Sequence, residues 1–259
     1  MKDTKINKIK IVKTSQGDIE TLRSFRLFRL EFSRLHKLYD SSINAYQVTR
    51  EVIYTKIKSG ELKPDEPISF KSYEGNIFKI SRAQSSAHNL RVQHPRYLRE
   101  LIFIRLISAF EIFVIDSFKE AFLLNKKLLN SNVDSILEIS ENEFLSYGSI
   151  DEALGKYIER KSRNLHSQGY EEIKKFYLKN LGIDFNKSKA NISRISMYHN
   201  QRHLFVHRLG ETDYQYKHKY STTDKFININ EKYLLEVSKD INILAFYINE
   251  KLIELTKVT

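Results

Sequence analysis

Breaks in this chain are few. It has eight glycines and three prolines in 259 residues, and Pro64, Pro67 and Pro95 all fall in the first 95. Proline removes an amide donor and glycine costs conformational entropy in a helix, so their scarcity favours long helices. Residues 18 to 58 read as one long helix, with Ser41-Ser42 as a candidate break. Phe25, Phe28, Phe32, Leu35 and Tyr39 form its apolar stripe at 3-4 spacing. Arg23, Arg26, Arg29, Arg34 and Lys37 lie on the opposite side, either as a row that tracks phosphates or as a solvated face. Residues 59 to 74 read as a loop, with a short extended piece at Ile68-Ser69-Phe70, and a weak helix follows from Ile77 to Leu90.

Pro95 opens the most apolar helix, which runs to Phe122 and reads as a central core helix. Ser140 with Glu143 and Ser149 with Glu152 have capping-box spacing; the second starts a helix through Arg163. A further helix ends at Gly182, Asn186 is the expected cap of a helix that ends near Gly210, and Asn228 to Lys257 forms the last. No strand pattern is evident, so the expected class is all-α. The expected division is a basic N-terminal helical extension (1–90) and a helical domain (91–259), with one continuous domain as the alternative.

The formal charge is +11, and it is unevenly placed. Residues 1–100 carry 20 Lys and Arg against 11 Asp and Glu, whereas residues 101–259 carry 23 against 21. Such a balance points to a polyanionic partner, most often nucleic acid, or to a plain basic surface. There is no cysteine, hence no disulfide and no thiolate metal site. No long apolar run follows Met1, so a cytoplasmic protein that does not engage membranes is expected. Walker loops, dinucleotide turns and nucleophile elbows are missing from the sequence.

Two charges sit where apolar residues belong. With Ile192 at zero and about 100° per residue, Arg202 falls near 280°, among Ile195, Tyr198, Phe205, Val206 and Leu209 at roughly 220–360°. With Leu101 at zero, Glu111 also falls near 280°, among Ile104, Ile107, Val114, Ile115, Phe118 and Phe122. An unpaired buried charge costs several kcal/mol. Either the two helices pack with Glu111 facing Arg202, or these faces border a water-filled groove.

His203 and His207 lie at the edge of the same face. Arg202 and His207 are five residues apart, about 140° on an ideal helix, so they diverge within one chain. They converge if two copies of the helix pack about a two-fold axis. Imidazole exchanges protons near neutral pH, and guanidinium can clamp a phosphate and stabilise its transition-state charge. With the RNA's own 2′-hydroxyl as nucleophile, that set suffices for metal-independent RNA cleavage. His199, His203 and His207 recur every four residues, a spacing that can bind zinc. No carboxylate lies near that stripe in sequence, so neither metal nor cofactor is expected, and His199 reads as a supporting polar residue or a secondary RNA contact. After the motif, Tyr214, Tyr216 and Tyr220 interleave with Lys217 and Lys219, so Tyr214, Lys217, Lys219 and Arg208 are candidate RNA contacts. A loop packed over the helix end is the alternative.

The segment Arg202-His203-Leu204-Phe205-Val206-His207 resembles the signature of HEPN domains: arginine, a polar residue, a few variable residues, then histidine. Gly210 and Asp213 resemble the glycine and acidic residue that follow it in many members. Leu106 to Phe113, with Glu111 embedded, and Phe176 to Ile183 are similar to segments that precede the motif helix. The likeness covers roughly residues 95 to 250 and leaves residues 1 to 90 unmatched. It implies an all-helical bundle that dimerises through the motif helix. It also implies a metal-independent endoribonuclease with Arg202, His203 and His207 as catalytic residues and Glu111 and His199 in support. The setting implied is a toxin–antitoxin or anti-phage system with RNA and an antitoxin or defence protein as partners. The alternative within the resemblance is an inactive nucleic-acid-binding or scaffold module.

Overall fold

The computed structural model describes residues 10–14, 17–125, 128 and 146–257. Ser140 and Glu143 lie outside these residues. A hairpin of β1 (Lys10–Thr14) and β2 (Gly17–Thr21) leads into α1 (Arg23–Ser59). A second hairpin, β3 (Pro67–Lys71) and β4 (Ile77–Arg82), leads into α2 (Ala83–Arg91) and α3 (Gln93–Leu124). Then come α4 (Ile150–Gln168), α5 (Tyr170–Leu181), α6 (Ile192–Arg208), α7 (Tyr214–Tyr220) and α8 (Glu231–Lys257). Both hairpins are antiparallel, with Lys10 opposite Thr21 in one and Lys71 opposite Ile77 in the other. Helix dominates the described residues, so the class is all-α.

The strands correct the sequence reading twice. Gly17–Thr21 is extended, so the first long helix starts at Arg23 rather than residue 18, and Ser41-Ser42 does not break it. Ile77–Arg82 is a strand, and only the second half of the weak helix is helical.

α3 is the hub. It packs against α1 and α8 most extensively, and also against α2, α4, α5 and α6. Phe103, Leu106, Ile107, Phe110, Phe113 and Phe118 are all buried along it. Each such side chain contributes about 1.5–3 kcal/mol when fully buried. The α1 stripe meets this helix directly: Phe28 stacks on Phe113 at 5.2 Å and lies edge-on to Phe110 at 6.0 Å. One core cluster runs from Leu22 and Phe25 through α3 to Leu252 and Ile253. The far end of α1 carries a separate small cluster, where Ile53 meets Ala83 and Ala87 of α2.

α1 has no capping side chain of its own. Glu120, buried on α3, supplies one from 97 residues away. It accepts from the Arg23 and Ser24 amides at 2.7 and 2.8 Å and from the Ser24 hydroxyl at 2.9 Å. A carboxylate at a helix N-terminus satisfies orphan donors and faces the positive end of the dipole. Asn249 of α8 adds a second stitch, accepting from the Leu22 amide at 3.0 Å. Arg29 does not belong to a solvated row. Its guanidinium bonds Asn242 and lies over the Phe246 ring at 5.1 Å, and burial pushes its pKa down.

Candidate functional site

α6 is capped by Asn191, whose side chain accepts from the Arg194 amide at 3.1 Å. The expected cap, Asn186, instead sits in a short 3-10 turn, Phe185–Lys187, held by Asp184. Ile195, Tyr198, Leu204 and Phe205 bury the inner face of α6. Asp240 of α8 locks its first turns, accepting from Arg194 Nη2 at 2.8 Å and the Tyr198 hydroxyl at 3.0 Å. The helix ends at Arg208, and Leu209 turns left-handed (φ 54°), so the wheel that placed Leu209 on the apolar face stops short of it. Gly210 follows at φ 82°, and a Cβ there would lie 2.6 Å from Phe205 Cε1.

The two singular charges meet where α3 crosses α6. Arg202 Nη2 lies 3.8 Å from Glu111 Oε2, and Arg202 Nε donates to the Ser108 hydroxyl at 3.3 Å. The shorter contact of Glu111 goes to His199, whose Nδ1 is 2.7 Å from Oε1. A carboxylate accepts only, so Nδ1 carries the proton. The His199 ring is stacked on Tyr170 of α5, with centroids 4.2 Å apart and planes 11° from parallel.

Glu111, Arg202, His199 and Tyr170 line a cavity of about 300 Å³ between α3, α5 and α6. The two sequence alternatives therefore coincide: Glu111 faces Arg202, and both border a polar hollow. Tyr170 and Glu171 form its α5 side, and Ser196 and His203 join Arg202 on its α6 side. Burial would raise the Glu171 carboxyl, but bonds from Lys174 and Ser196 and the charges of Lys174 and Lys219 leave it below its ordinary range. Burial, with Glu171 beside it, holds the Tyr170 hydroxyl far above the usual phenol range.

His203 and His207 are exposed, with ring centroids 4.4 Å apart. His203 reaches the cavity lining; His207 does not. Among the described residues, no three His, Asp or Glu side chains group as a metal ion would need.

Residues after Gly210 form a helix rather than a loop, capped by Asp213 at 2.8 Å from the Tyr216 amide. Its tyrosines divide by role. The Tyr216 hydroxyl accepts from Gln201 Nε2 at 2.7 Å, and Tyr220 accepts from Asn200 at 2.6 Å, so both dock α7 on α6. Tyr214 is 81% exposed, Lys219 and Arg208 are exposed, and Lys217 is half-buried.

Sequence reasoning missed Tyr170, Glu171, Ser196 and Ser108. The first two open a helix right after Gly169, a position with no chemical signature in sequence. No family model matches the chain, and no curated protein or solved structure compared with it is significantly similar. Among the described residues, no helix is long and apolar enough to cross a membrane.

Proposed function

We propose that the protein is a metal-independent endoribonuclease whose chemistry centres on Arg202 and His207. The observation that carries this reading is the state of Arg202. Glu111 and Ser108 hold its guanidinium, yet 29% of the side chain stays open. It shares its helix with two solvent-facing histidines, His203 and His207. Arginine in that state can bind a phosphate and stabilise the charge that develops on it. A histidine takes the proton of the RNA 2′-hydroxyl as that oxygen attacks the adjacent phosphorus. The second histidine of the composite cleft gives a proton to the departing 5′-oxygen. The products are a 2′,3′-cyclic phosphate and a 5′-hydroxyl. Exposed Tyr214, Lys219 and Arg208, with half-buried Lys217, extend the surface along which a strand would lie. A toxin–antitoxin or anti-phage setting belongs to the same proposal and rests on the HEPN resemblance.

The test is cleavage of single-stranded RNA by purified protein in EDTA. Arg202→Ala and His207→Ala should each lower turnover about 10²- to 10⁴-fold without loss of fold, and His203→Ala should lower it less. Activity that EDTA abolishes and Mg²⁺ restores would sink the mechanism, as would near-normal turnover in His207→Ala.

A further inference from the structure

α1 has two apolar sides, and only one is covered. With Leu27 at zero and about 100° per residue, Phe25, Phe28, Leu35 and Ile53 fall at roughly 80–160° and are buried. Leu27, Leu30, Leu38, Val48 and Val52 fall at roughly 300–20°, and each is 48–53% exposed. They run along about 38 Å of one helix. Scattered surface leucines need no explanation, but a row of them down one side of a helix marks an interaction surface.

The row has a period. Arg34, Leu38, Ser41, Ala45, Val48 and Val52 follow one another by four, three, four, three and four residues, and all six are exposed. That is the seven-residue repeat of a helix that pairs with another helix, and Ser41 and Ala45 are small enough for a close approach. The charge beside the row is positive. α1 carries eight Lys and Arg against three Asp and Glu. Arg34 lies within the row, and exposed Lys37 and Lys56 stand at its two edges, at about 280° and 20°. The carboxylate closest to the row, Glu31, is held by Arg105 of α3 at 2.7 Å, and Glu51 has Arg50 3.9 Å away.

We infer that this row is the docking surface for an amphipathic helix of a partner protein, apolar along its seam and acidic at its flanks. The seam covers the leucines and valines, and the carboxylates meet Arg34, Lys37 and Lys56. A second copy of α1 would suit the seam but would set one positive excess, eight charges against three, beside another. An anionic membrane would suit the charge, but Arg34 and Ser41 stand inside the row and would be buried with it. RNA would suit the charge as well, but the five aliphatic side chains give no ring on which a base can stack.

The test uses two labelled synthetic helices of about four heptads, each with leucine along its seam. One carries glutamate at the flanking positions and the other lysine, so that like charges keep each from pairing with itself. Anisotropy with the intact chain should show the glutamate helix binding at least about tenfold more tightly than the lysine helix. Leu38→Gln and Val48→Gln should each keep the wild-type melting temperature and weaken that binding about tenfold. Leu178→Gln, at an equally exposed leucine of α5, should leave it unchanged. Arg34→Glu combined with Lys37→Glu should reverse the preference between the two helices. Failure of the glutamate helix to bind overturns the inference. Equal binding of the two helices does so too, as does binding that neither Leu38→Gln nor Val48→Gln weakens. If wild type floats with phosphatidylserine vesicles and Leu38→Gln does not, the occupant is a membrane and the inference falls. If light scattering shows a dimer that Leu38→Gln dissociates, the occupant is a second copy and it falls likewise.

Discussion

At Glu111 one carboxylate serves two partners, His199 at 2.7 Å and Arg202 at 3.8 Å. Removing it leaves an imidazole N–H without its acceptor and a guanidinium without its counter-charge. A fully buried pair would lose about 3–5 kcal/mol on such a change. Here 17% of Glu111 and 29% of Arg202 stay open to water. Glu111→Ala should therefore lose about 1–3 kcal/mol, the range for leaving a buried donor without its acceptor. Glu111→Gln should lose less, because its carbonyl oxygen still accepts from His199, but the charge that positions Arg202 is gone. Both variants should cleave RNA poorly, and only the alanine variant should melt clearly earlier. A wild-type melting temperature in Glu111→Ala would show that these contacts hold no stability.

Helix ends carry the next set of consequences. Glu120→Ala strips the α1 N-terminus of the acceptor for two backbone amides and one hydroxyl. It should cost about 2–4 kcal/mol, read as a lower urea midpoint. The end of α6 allows an opposed pair of substitutions. Leu209 holds φ 54° with 87% of its surface exposed, so it has strain and little packing. Leu209→Gly should stabilise by about 0.5–1 kcal/mol, the relief of left-handed strain less the added freedom of the unfolded chain. Gly210→Ala should do the reverse, because its Cβ would meet Phe205 at 2.6 Å. Thermal melts that move both variants in the same direction would contradict this account. The long helices were legible because a 3-4 stripe such as Phe25, Phe28, Phe32 and Leu35 repeats over many turns. Of the hairpins only the extended piece at Ile68-Ser69-Phe70, inside β3, was legible, because five- or six-residue strands are shorter than the window in which a period emerges, and β4 runs straight into α2. The facing of Glu111 and Arg202 was legible because each stands alone on an apolar face. The preference of Glu111 for His199 was not, since it depends on how far α3 and α6 are offset. Tyr170 enters the site through the packing of α5, which no local pattern encodes.

For the whole molecule, the described side chains of the basic N-terminal part pack in two places. Leu22, Phe25, Phe28 and Leu35 sit in the main core, while the far end of α1 builds its own cluster with α2. The site itself is divided in a different way. Arg202 turns inward to Glu111, whereas His207 is exposed and outside the cavity lining. One chain thus offers a held arginine and a histidine that points elsewhere, as the roughly 140° between them requires. Val206 and Leu209 flank His207 with 47% and 87% of their surface exposed, apolar area suited to a partner. A two-fold pairing through α6 would bring two arginines and two histidines to one cleft, because each residue then lies near the axis that relates it to its mate. The expectation is a dimer in light scattering at assay concentration. A mixing experiment tests the sharing directly. Arg202→Ala protein keeps His207, and His207→Ala protein keeps Arg202. Each is inactive alone, but every mixed dimer regains one arginine from one chain and one histidine from the other. If the cleft is shared across the axis, combining the two variants raises cleavage above that of either variant alone but not to the wild-type level, because the mixed dimer holds only one of the two His207 side chains. If Arg202 and His207 of the same chain act together, the mixture stays inactive, and a fully active monomer would remove the dimer altogether.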